Sequence, residues 1–180
     1  MVESDDYFAM QVRSAGQVVL AAEPQLIPPD LFRTNASALG DISTEKDSDG
    51  VLRRVRAFQT YRIWHAAFRD VASDPDYGVD LAKAQIRSNA IVLARSEGDP
   101  ITVPLDEQGR FQMSDFYGDH LPPGVPRSAL PFHEVRVWHL GVVLAAHALG
   151  LDVDAAEVDL EHGCIRLSGR GGTRRIPVDR

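Results

Sequence analysis

The sequence predicts an α/β protein, a mixed sheet with flanking helices plus a duplicated helix-and-hairpin unit in the C-terminal half. Three observations predict it. Short segments with apolar residues at helical spacing run directly into β-branched stretches. Clusters of Gly, Pro and Asp separate these segments as turns. Several landmarks of residues 61–106 return in the same order in residues 135–179, and such self-similarity identifies a structural unit.

Taken in order, Tyr7 to Val12 reads as a helix that Gly16 ends, before the strand Val18-Val19-Leu20-Ala21. That strand is apolar on both faces and is expected to be buried. Pro28-Pro29-Asp30 opens a second predicted helix, anchored by Phe32, Ala36 and Leu39 and closed by Gly40. Asp47-Ser48-Asp49-Gly50 is a turn leading into a strand over Val51 to Phe58, with arginines on its outer face.

The repeat follows. Trp64-His65 and Trp138-His139 stand 74 residues apart (64 to 138), and each pair opens an apolar helix. Gly78-Val79-Asp80-Leu81 and Gly150-Leu151-Asp152-Val153 stand 72 apart (78 to 150). Hairpin turns are expected at Ser88-Asn89 and His162-Gly163, and the closing strands end on Val103-Pro104-Leu105-Asp106 and Ile176-Pro177-Val178-Asp179. The Pro/Gly-rich connection Gly118 to Pro126 marks a boundary, giving expected domains at 1–118 and 119–180. The first unit continues into Arg110 to Met113, which is expected to supply a strand mate that Ile176 to Val178 lacks. On this reading the chain is a piece incomplete at both ends and marginal by itself.

Composition excludes several function classes. With 44% hydrophobic and 25% charged residues over 180, the chain can bury a core. A net charge of −7 offers no basic face for a phosphate backbone, so no nucleic acid is expected. The single Cys164 excludes an intrachain disulfide and a cysteine cluster. The acidic start at Met1 to Asp6 is not a secretory signal. Val135 to Leu151, interrupted by Arg136, His139 and His147, is too short to cross a bilayer.

The candidate chemistry is thin. Asp47 and Asp49 before Gly50 suggest a calcium loop, but the twelfth position counted from Glu45 is Arg56, which cannot coordinate the ion. Of the histidines His65, His120, His133, His139, His147 and His162, none forms a metal-binding pair at i, i+4. Capping or hydrogen-bonded histidines beside tryptophan are the expectation. Gly169-Arg170-Gly171-Gly172 joins two strands and has no following helix to make a phosphate cradle, so it reads as a hairpin tip. No nucleophile with a base has a local signature. No catalytic, cofactor-binding or metal residue is therefore assigned, no cofactor is expected, and the ligand residues are unknown.

Asp6-Tyr7-Phe8-Ala9, then Gly16 to Ala21, the Pro-led segment closing on Ala38-Leu39-Gly40, and Asp47-Ser48-Asp49-Gly50-Val51-Leu52-Arg53-Arg54 resemble the CHASE domain of the second type, a bacterial sensory extracellular domain. Ile101 to Phe111 resembles that family's closing strand pair, so the resemblance covers residues 6–118. It departs from the family in lacking the opening elements and in adding the unit over Trp138 to Asp179. The resemblance implies a non-catalytic input domain on the extracytoplasmic, periplasmic face of the cytoplasmic membrane. It also implies flanking membrane helices, a covalently linked cyclase, kinase or phosphatase module, and an unknown small-molecule or protein ligand. The reading allows a homodimer. A small soluble hydrolase or metal-dependent enzyme, and a purely structural extracytoplasmic module, are the alternatives.

Overall fold

A computed structural model describes residues 4–118, 121 and 124–179. Asp119, His120, Pro122 and Pro123, in the expected boundary segment, lie outside the described residues, as does Arg180. The fold is α/β, with its strands in several small sheets among the helices. The chain divides into two compact units: residues 1–61 with 136–180, and residues 62–135. The position 118/119 falls inside the second of these.

In the first unit, helix α1 (Ser4–Ala15) ends at Gly16, which takes the left-handed conformation (φ 69°) that side-chain-bearing residues avoid. Strand β1 (Val19–Ala22) follows and pairs in parallel with β2 (Ala38–Asp41). The predicted second helix is only one turn, α2 (Asp30–Arg33). Ala38 and Leu39, expected on that helix, instead form β2, because Ser37 bonds the Val18 carbonyl through both its amide and its hydroxyl and delivers the chain to β1. Strand β1 is half-buried, with Ala21 exposed, rather than enclosed on both faces. The turn at Asp47 forms, with Gly50 N–H donating to the Asp47 carbonyl at 2.8 Å and Gly50 at φ 81°. No strand follows over Val51 to Ala57; it begins instead at Phe58. Arg53 turns back onto Asp47 and Asp49, so the side chain assigned to a strand face serves the turn.

The repeat is visible in the ladders themselves. Strand β3 (Phe58–Trp64) leads into α3 (Ala66–Ser73), and β9 (Phe132–Trp138) into α5 (Leu140–Leu149). After α3 comes a short 3₁₀ turn, Leu81–Lys83, then β4 (Gln85–Ile86), β5 (Ala90–Leu93) and β6 (Ile101–Pro104). After α5 come β10 (Leu151–Asp159), β11 (Cys164–Gly169) and β12 (Gly172–Pro177). Each set is an antiparallel meander, and the partners correspond. Ile86 faces Ile91 as Val158 faces Ile165; Ile91 faces Val103 as Ile165 faces Ile176; Ala90 faces Pro104 as Cys164 faces Pro177. The isolated bridge of Val79 with Arg95 matches the pair Leu151 and Gly169. The 3₁₀ turn occupies the place where β10 shifts register between Asp152 and Glu157. A one-residue slip would turn every side chain to the other face, so matching register is a stringent test of the duplication.

The second unit also contains β7 (Phe111–Gln112), α4 (Ser114–Tyr117) and β8 (Ser128–Ala129), with β7 pairing to β8. Arg110 to Met113 is therefore not the ladder mate expected for β6. It closes the first repeat with side chains: Phe111, fully buried, meets Phe68, Phe116 and His65 with ring centroids 5.1, 5.2 and 5.2 Å away.

Candidate functional site

Among the described residues of the first unit, the buried charged side chain is Asp41, at 0% exposure. It sits at the end of β2, and the fold surrounds it with donors. Tyr61 Oη lies 2.7 Å from its Oδ1, Ser43 Oγ donates to the same oxygen at 2.7 Å and Ser43 N at 3.2 Å, and Gln59 Nε2 donates to Oδ2 at 3.2 Å. Tyr61 also reaches the Ala22 carbonyl oxygen at 2.9 Å, so β3 is tied to the ends of both β1 and β2. Burial alone would raise the Asp41 carboxyl, but hydrogen bonds from Tyr61, Ser43 and Gln59 outweigh it and hold the group below the ordinary carboxylate value. Burial pushes the Tyr61 hydroxyl well above its ordinary value, and the Asp41 carboxylate adds to the shift. An ionised carboxylate supplied with four donors is a strand clamp. It has little reason to take a proton, and the hydroxyl beside it has little reason to lose one.

The second feature is a cavity of about 350 Å³ in the same unit, between α5 and the β11–β12 hairpin. Val142, Ala145, Ala146, Leu149, Leu151, Leu167 and Ile176 line it, together with Gly141, His139 and Arg174. Its chemistry is aliphatic, which suits binding by shape and burial. Arg174 donates to the Thr173 carbonyl at 3.1 Å and forms no ion pair among the described residues.

The histidines divide by role. His65 Nδ1 accepts from Ala67 N at 3.2 Å and His139 Nδ1 from Gly141 N at 3.2 Å, so both cap the helices that follow them. Burial, with the Arg69 charge, lowers the His65 pKa and keeps it an acceptor. His162 pairs with Asp159 at 2.8 Å on an exposed turn. His133 and His147 are exposed, and among the described residues no group of histidine, cysteine and acid is placed to hold a metal. Cys164 is buried in β11. Asp47 and Asp49 are engaged by Arg53 at 3.0 and 2.7 Å.

Sequence reasoning missed the Asp41 clamp, because Asp41, Ser43, Gln59 and Tyr61 carry no spacing signal and meet only through the pairing of β1, β2 and the start of β3. The cavity residues, by contrast, could have been found by aligning the two repeats and asking which positions each one covers. No helix among the described residues is long and apolar enough to cross a membrane. No protein-family model, curated protein or solved structure matches the chain.

Proposed function

We propose that this chain is part of a non-catalytic, extracytoplasmic sensory input domain of a bacterial membrane receptor. The observation that supports the non-catalytic part is the state of Asp41, a carboxylate at 0% exposure that accepts hydrogen bonds from Tyr61, Ser43 and Gln59. A general base must lie within hydrogen-bond reach of the proton it abstracts, and this carboxylate is enclosed by the scaffold. The receptor setting rests on the resemblance over residues 6–118. In that setting the domain acts by favouring one of two arrangements of the receptor according to what it binds.

The test is fractionation of the source cells with an antibody raised against this chain. The antigen is expected in the membrane fraction, on a polypeptide larger than 180 residues, and open to protease in spheroplasts with intact inner membranes. Recovery in the cytosol, protected until lysis, overturns the reading.

A further inference from the structure

The meander of the second repeat is a sheet ordered β10-β11-β12, and no strand among the described residues pairs with the outer side of β10 or of β12. The two edges differ in charge. Strand β10 carries Asp152, Asp154, Glu157 and Asp159, all exposed, and no cation. Strand β12 carries Arg174 and Arg175, both exposed, and no acid. An open edge is a template for a further strand. In the first repeat the matching edges are blunted by other means, since β4 has two residues and β6 is uncharged and ends on Pro104. In the second, like charge guards each edge against a copy of itself, and opposite charge leaves each open to the other. The backbone is available at both. Val178 N–H donates to the Gly163 carbonyl, so alternation along the ladder turns the N–H and C=O of Arg175 away from β11, and by the same alternation those of Val158. The register Glu157, Arg166, Arg175 puts these side chains in one row on one face of the sheet, with Asp159 on the same face. Arg166 donates to Glu157 at 2.6 Å. Arg175, directly opposite Arg166, enters no ion pair among the described residues. Like charges opposite one another are destabilising, and an acid on the outer side of Arg175 relieves that.

We propose that this chain associates head to tail with further copies of itself, the β12 edge of one copy taking the β10 edge of the next. Arg175 and Arg174 then meet Glu157 and Asp159 of the next copy, and the outward backbone groups of Arg175 and Val158 extend the ladder. A contact between two different surfaces is not closed by a twofold axis, so it adds copies one after another into a ring or an open row. The inference goes beyond the receptor reading and does not rest on it.

Sedimentation velocity of the 180-residue chain tests it, with two variants that each neutralise one edge: Arg174→Thr with Arg175→Thr, and Glu157→Thr with Asp159→Thr. The parent is expected to form species that grow with protein concentration and fall back to monomer in about 1 M NaCl, where screening shortens the reach of a charge to ~3 Å. Each variant alone should stay monomeric, while a mixture of the two should stop at a one-to-one dimer, because that pair retains one good edge of each sign. Arg174→Lys with Arg175→Lys should restore growth. Thermal melting checks that each variant is folded. Should the acidic-edge variant fail to fold, Val158→Pro, which keeps both acids and removes only an outward N–H, should stop growth in its place. A parent that stays monomeric at millimolar concentration overturns the proposal, by showing that the charges only guard the edges. Growth equal to the parent's in either neutral variant, or a parent assembly that stops at a dimer, also overturns it.

Discussion

In the first repeat, α3 and its meander close around Phe68, which Phe111 and Phe116 cover; in the second, α5 and a meander of the same register leave Val142 at the edge of a cavity. The opposite side of each helix reverses the comparison. Val143 of α5 is buried in a cluster with Val19 and Ala38 of β1 and β2, whereas its counterpart on α3, Arg69, is exposed. A strand, a capped helix and a three-stranded meander therefore form one local unit. Which of its faces becomes core is set by the flanking segments. The apolar face of a helix must be covered by something, and the two repeats solve this with different neighbours.

The largest expected effect tests that difference at Phe111. Phe111→Ala should open in the first repeat a cavity like that of the second and cost about 3–5 kcal/mol, the usual range for a buried phenylalanine. Urea unfolding measures it, and a loss near zero would mean that the first repeat does not depend on its cover.

The Asp41 clamp belongs to one unit only, so its removal should separate the two. Tyr61→Phe leaves the carboxylate short of a donor and should cost about 1–3 kcal/mol. The sign of the pH effect follows from the lowered Asp41 pKa. The clamp stabilises fully above the unfolded value of 3.8 and is lost as pH falls through the lower folded value. Acid unfolding of Tyr61→Phe should therefore begin at higher pH than in the parent. Gly40→Ala probes the same strand, since a Cβ there would stand 2.9 Å from Leu140 Cα. A loss of about 1–3 kcal/mol is expected from the overpacking, read as a lower thermal midpoint.

How much of this was legible in the sequence varies by element. The helices α1, α3 and α5 and the duplication were legible, because apolar period, capping residues and turn glycines are local signals. Strand β2 was not: Ala36 and Leu39 fall at helical spacing by accident, and only the parallel register with Val19 and Leu20 makes Ala38–Asp41 a strand. Strands β3 and β9 were passed over because their partners lie far away in sequence. The difference between the repeats was half legible. Arg110 to Met113 is expected as a ladder mate of β6, but it acts through Phe111 packing and pairs with β8 instead.

Smaller effects sharpen the repeat at its caps. His65→Ala and His139→Ala each remove an acceptor at a helix start and should cost about 1 kcal/mol apiece. Because the folded pKa of His65 lies below the unfolded 6.5, its contribution is complete above that pH and is lost as pH falls through the folded value. Proton NMR titration of the imidazole checks the shift. At the lower end, Arg62→Ala, which removes a guanidinium 4.6 Å from the Phe132 ring centre, should cost about 0.5–1 kcal/mol. Arg136→Ala, over Phe58 at 4.7 Å, should match it.

The most direct measurement transplants the buried helix residue of the first repeat into the second. Val142→Phe places in the second repeat the side chain that the first carries as Phe68, beside an open cavity of about 350 Å³. If the two are one unit with different covers, the larger ring fills space that is already there. The thermal midpoint should then rise, at roughly 0.8 kcal/mol for each added carbon that becomes buried. A fall in the midpoint would show that the α5 face is packed on different terms from that of α3, and would contradict the account.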